Sequence, residues 1–92
     1  MYIIVIYDIA CQKNYAKVSK NIYDICKKYL IHVQKSVFEG ELSLPQLESL
    51  KIEVKKYLRK DIDSFILFKS RNEKWLNKEF LTNLKTEDIQ FI

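Results

Sequence analysis

The stretch YIIVIY, Tyr2 to Tyr7, constrains this chain more than any other. Four branched aliphatic residues between two tyrosines make a near-continuous apolar run, the pattern of a strand covered on both faces and therefore central in its sheet. The run stops at Asp8, and the next acid along the chain is Asp24. A lone carboxylate ending a strand ordinarily hydrogen-bonds the following turn. A chemical role for Asp8 would need a second acid from somewhere other than its sequence neighbourhood.

Beyond Asp8 the period changes. Tyr15, Val18, Ile22, Ile25, Cys26 and Tyr29 recur at steps of three and four with lysines between them, which predicts an amphipathic helix beginning near Asn14, its expected N-cap. Ile31 to Leu42, IHVQKSVFEGEL, is β-rich, and its alternation changes phase between Val33 and Phe38. That shift predicts a kink, a bulge or a tight hairpin near Lys35 and Ser36, and periodicity does not choose among them. A second helix opens with Ser43 as N-cap, Pro45 in the first turn and Gln46 at the capping-box position, then sets Leu47, Leu50, Val54, Tyr57 and Leu58 on one face. Asp63 to Ser70, DSFILFKS, predicts another buried strand. Trp75, Leu76, Phe80, Leu81 and Leu84 predict a short helix, and the tail Asp88 to Ile92 reads as a strand.

In order, these are strand, helix, a strand pair or one kinked strand, helix, strand, with a strand-like appendix over 86–92. If IHVQKSVFEGEL folds back on itself, the class is α/β (α+β), a ferredoxin-like βαββαβ sandwich with an additional C-terminal strand. Its 92 residues, 48% of them hydrophobic, suit one domain over 1–92 and leave no room for a second core. Such a sheet has one bare face. On a chain this short, a bare apolar face predicts an isologous homodimer, with the 86–92 tail packing on the partner subunit.

Charge narrows the partners. Lys plus Arg number 16 against 12 acids, a net charge of +4. The excess is concentrated between Gln12 and Lys35, where Lys13, Lys17, Lys20, Lys27, Lys28 and Lys35 face only Asp24. This basic segment favours phosphate-bearing or otherwise acidic partners. Cys11 and Cys26 lie far from any C-x-x-C or zinc spacing and read as reduced thiols. The N-terminal apolar run has no basic lead-in, and nothing approaches the roughly 20 apolar residues of a membrane span, so a cytoplasmic protein without a membrane partner is expected.

Several of these local patterns coincide with one family. Tyr7 and Asp8 closing the first strand, the basic helix after it, VQKSVFEG (Val33 to Gly40) and the DSFILF strand together resemble the CRISPR-associated endoribonuclease family, the second of the Cas proteins. The resemblance spans about Met1 to Ser70, and QKSVFEG is its most specific part. His32 and Tyr15 stand where the family often has arginine, and KKYLIH replaces a segment that usually holds glycine.

The resemblance implies a ferredoxin-like homodimer in which the carboxylates ending the two first strands face each other across the twofold axis and bind a divalent metal, Mg2+ or Mn2+. It implies a metal-dependent endonuclease, a hydrolase acting on the phosphodiester bonds of RNA or double-stranded DNA, that takes part in CRISPR spacer acquisition (antiviral defense) with the integrase subunit. Two alternatives accompany it: a non-catalytic structural adaptor of the integrase–DNA complex, and a stand-alone toxin-type ribonuclease of the same fold.

Carried over by position, Asp8 is the implied catalytic residue and metal ligand, while Tyr7, Lys17, Ser36 and Phe38 fall at positions associated with the site or interface. The chemistry is coherent. A hard cation held by carboxylates activates water and neutralises phosphoryl charge, and the acid missing from Asp8's own neighbourhood would come from the second chain. Lys13 and Lys17, nearest the end of the first strand, are the expected phosphate contacts. Phe38 is expected in the dimer interface, with base stacking as the alternative, and Tyr7 in core packing. Ser36 would position substrate or cap the kink. A Ser36–His32–Asp8 triad is rejected for want of a nucleophile elbow, and a single histidine without clustered thiolates argues against zinc.

Overall fold

The computed structural model describes residues 1–71, 74 and 76–82. Six elements follow in order: β1 (Tyr2–Asp8), α1 (Tyr15–Tyr29), β2 (Ile31–Gln34), β3 (Val37–Glu41), α2 (Leu44–Lys55) and β4 (Ser64–Ser70). They form one sheet of order β2-β3-β1-β4 with every pairing antiparallel. Both helices cover the same face, giving the expected βαββαβ sandwich. Among the described residues, no helix is long and apolar enough to cross a membrane.

β1 is internal, as its composition predicts, but it is not covered on both faces. Ile3, Val5 and Tyr7 point under the helices into the core, whereas Ile6 is 41% exposed on the outer face. β4 departs in the same way. It is an edge strand, with Phe65 and Leu67 packed inward and Ile66 and Phe68 left 47% and 53% exposed. In both strands the middle outer-face side chains, Ile4, Ile6, Ile66 and Phe68, are apolar, so composition mimics two-sided burial where the protomer supplies only one side.

The first helix begins where expected, for a different reason. Asn14 occupies the N-cap position with φ 66°, a left-handed conformation that Asn tolerates better than most residues, and its side chain makes no capping hydrogen bond. α1 buries Val18, Ile22, Ile25 and Cys26, while Tyr15 stays exposed. Burial pushes the Cys26 thiol up to about 12, and Cys11 is an exposed free thiol. At α2 the capping box forms in full: Ser43 Oγ accepts from the Gln46 N–H, and Gln46 Oε1 accepts from the Ser43 N–H at 2.9 Å. The helix ends at Lys55, and Tyr57 and Leu58 pack against the core from the turn beyond it.

Residues 31–42 contain two of the three expected devices at once. β2 and β3 form a hairpin through Lys35 and Ser36, with Lys35 at φ 42°, and a bulge between His32 and Gln34 accounts for the change of phase. The short helix expected over Trp75 to Leu84 is not formed across 76–82, where Phe80 and Leu81 are exposed. Instead Lys78 pairs with Glu39 on the outer face, and Tyr2 donates its hydroxyl to the same carboxylate at 2.6 Å. Trp75, Leu84 and the tail over 86–92 lie outside the described residues.

Candidate functional site

Asp8 is the last residue of β1. The antiparallel register sets it opposite Ser64, the first residue of β4, and pleating puts its exposed side chain on the same outer face as Ile4, Ile6, Ile66 and Phe68. A hard oxygen donor therefore stands in solvent at the rim of a bare apolar surface. Among the described residues, no three of His, Cys, Asp and Glu come together. One accessible carboxylate supplies half of a divalent-cation site, so the donors present fit such an ion only when a second acid is brought to Asp8.

Lys13 lies in the loop after β1 and Lys17 in the first turn of α1; both are exposed, and neither forms an ion pair among the described residues. That first turn holds no acid. The first turn of α1 and these two ammonium groups thus follow Asp8 closely along the chain as a positive segment suited to phosphate. Further along α1 the lysines are more committed. Lys20 pairs with Asp24 and Lys28 with Glu53, so hydrogen bonding to these acids raises both lysines and that to Lys28 lowers Glu53.

Tyr7 and Phe38 belong to the core. Tyr7 stacks between Phe65 at 5.8 Å and Phe38 at 6.1 Å between ring centroids. Burial pushes its hydroxyl well above the usual tyrosine range, which keeps it protonated and unsuited to act as a base near neutral pH. Phe38 is 0% exposed, enclosed by Tyr7, Tyr23 and His32. This corrects both expectations for it, interface and base stacking, because β3 turns Phe38 toward the helices and away from the bare face. The Ser36 carbonyl accepts the Tyr7 N–H at 3.2 Å, tying the hairpin turn to the residue before Asp8. His32 is buried, with Nε2 held 2.7 Å from the Lys35 carbonyl, a bond that occupies that nitrogen as a donor.

Sequence patterning does not single out Arg59 and Asp63 as a pair. Asp63, its side chain 0% exposed, accepts from Arg59 Nη2 at 2.9 Å and Nε at 3.0 Å, and from the backbone N–H groups of Arg59 and Ala10. Arg59 also donates to the carbonyls of Ala10, at 2.8 Å, and Lys13, at 2.5 Å. Hydrogen bonds from the Arg59 side chain, reinforced by the two backbone donors, hold the Asp63 carboxyl at about 2 against the opposing effect of burial. The i, i+4 spacing was the one visible signal, and it is also the spacing of an ordinary surface ion pair.

Comparison with known proteins bears on the family and the fold. Residues 1–78 match the family model described as CRISPR associated protein Cas2. A protein of Fusobacterium nucleatum named CRISPR-associated endoribonuclease Cas2 is 54% identical over 81 residues, covering 88% of this chain and 76% of the relative. A Thermotoga maritima protein of the same name is 41% identical over 88 residues, covering 96% and 95%. Among solved structures, one described as a crystal structure of Cas2 aligns over 100% of this chain and 97% of its own, with a TM-score of 0.77 at 28% identity. Streptococcus pyogenes Cas2 shares the fold, with a TM-score of 0.71 at 20% identity over 87% of this chain and 100% of its own.

Proposed function

The chain belongs to the Cas2 family of CRISPR-associated proteins, and from that membership we propose that it is a cytoplasmic, homodimeric, divalent-metal-dependent endonuclease acting on RNA or double-stranded DNA during spacer acquisition. The observation that carries this reading is the accessible Asp8 carboxylate at the end of β1, beside a bare apolar face that a second copy would cover. Facing one another across a twofold, two Asp8 side chains would hold Mg2+ or Mn2+ with oxygen donors alone. The ion, when bound, supplies an acidified water and charge neutralisation at the phosphoryl oxygens. Lys13 and Lys17 bind and orient the phosphate backbone without reading sequence, so affinity falls steeply with added salt.

The test is cleavage of labelled RNA and duplex DNA with Mg2+ or Mn2+. Asp8→Asn, which preserves shape and removes the charge, is expected to lower the rate by roughly 100-fold or more, in keeping with the several kcal/mol that metal ligation supplies. Cleavage by Asp8→Asn at the wild-type rate would sink the mechanism. A second reading, a structural adaptor between the integrase and DNA, is favoured by the single carboxylate per protomer together with the basic segment that follows it. Integrase co-purification that persists in Asp8→Asn, with no cleavage by the wild type, supports the adaptor alone. Family membership over residues 1–78 favours either reading over a stand-alone toxin.

A further inference from the structure

The loop joining Asp8 to α1 has little to fix it from within. Its own bonds are Gln12 N–H to the Ala10 carbonyl at 2.8 Å and Tyr15 N–H to the Gln12 carbonyl at 2.9 Å, and it passes through the left-handed Asn14. Ile9 is anchored in the core, and Arg59 and Asp63 hold the polar backbone beyond it. Both backbone groups of Ala10 and the carbonyl of Lys13 are held by this pair from 46 to 53 residues away in sequence. Asp63 also precedes Ser64, which pairs with Asp8 in the β1–β4 ladder. The carboxylate thus lies between two fixed points: its ladder partner, and the Ala10 peptide two residues on.

We propose that Arg59 and Asp63 are positioning residues, a clamp that sets where Asp8, Lys13 and Lys17 stand relative to one another for phosphodiester cleavage. This deepens the nuclease reading above and rests on it. Neither side chain is available to substrate. Arg59 has Nε, Nη1 and Nη2 engaged within the protein, and the Asp63 side chain is 0% exposed. Their effect reaches the reacting groups through the loop backbone, and reacting geometry is sensitive to such shifts: a displacement of 1 Å costs on the order of 100-fold in rate. Only a planar fork serves Asp63 and two carbonyls together, so Arg59→Lys keeps the charge and loses the clamp.

The test sets full-length wild type beside Arg59→Lys, Asp63→Asn and Asp8→Asn. Four quantities are measured: thermal unfolding, hydrogen exchange at the Ala10 amide, Mn2+ broadening of the Ile9 and Ala10 NMR signals, and kcat and KM on labelled RNA and duplex DNA. For Arg59→Lys and Asp63→Asn the expected result is cooperative unfolding, faster exchange at Ala10, Mn2+ titrations weakened about 3-fold or more, and kcat down roughly 10- to 100-fold. KM should stay within about 3-fold, because phosphate binding by the lysines survives a small displacement. Clamp variants that cleave and bind Mn2+ like the wild type would overturn the positioning role. So would failure of both to fold, which assigns the pair to stability alone. A wild type that neither cleaves nor binds Mn2+ is the distinct failure of the nuclease reading, and the positioning role falls with it.

Discussion

A buried carboxylate is tolerated only when its charge is answered, and Asp63 has its answer in one guanidinium and two backbone N–H groups. The folded-state carboxyl sits at about 2, below the ordinary aspartate value of about 3.9. Its stabilising contribution is therefore complete above that ordinary value and is lost as the pH falls through the folded one. Asp63→Asn leaves the Arg59 charge partly unanswered and is expected to cost about 1–3 kcal/mol at neutral pH. Thermal unfolding between pH 7 and pH 2 checks both statements. The gap between wild type and variant should be constant above about pH 5 and close as the pH drops from about 4 to about 2. A gap that persists unchanged at pH 2 would mean the carboxylate charge is not what stabilises the clamp.

At the scale of elements, the two helix starts show what local sequence encodes. Ser43 and Gln46 exchange reciprocal bonds using atoms three residues apart, so α2 is readable from its first turn, and Ser43→Ala is expected to lower unfolding stability by about 1 kcal/mol in denaturant titration, with the slope unchanged. A loss near zero would show that Pro45 and the buried face start the helix unaided. Asn14 looked like a cap of the same kind and works through backbone conformation instead, which a residue name does not reveal. The hairpin at Lys35 was legible as a break in alternation, but only strand pairing distinguishes a turn from a bulge, and here both occur. The helix expected after β4 does not form across 76–82, where Phe80 and Leu81 are exposed and Lys78 reaches Glu39, because apolar residues spaced by three and four do not by themselves supply a surface to bury them. For the same reason Asp8 was visible as a strand-ending acid whereas Arg59 and Asp63 were not: their partners are backbone atoms that only the tertiary fold brings near.

For the whole molecule, the outer face of the sheet decides what Asp8 can do. Its far end is partly closed by the Tyr2–Glu39–Lys78 network, while the end that carries Asp8 leaves Ile6, Ile66 and Phe68 about half exposed. Burying what remains of each side chain contributes roughly 1 kcal/mol, so six across a twofold reach the lower range of an association cost of about 4–15 kcal/mol. The remaining contacts must supply the excess. Ile66 lies opposite Ile6, two residues from the Asp8–Ser64 pair, and a charge placed there would be desolvated by any partner seated on this face. Ile66→Glu is accordingly expected to keep its circular dichroism spectrum, sediment as the 11.1 kDa chain where the wild type sediments at twice that mass, and lose cleavage along with the dimer. Loss of activity in a folded monomer with Asp8 intact is the signature of a site completed by the second copy. A variant that remains dimeric and active would move the interface to another face and leave Asp8 without its opposing acid.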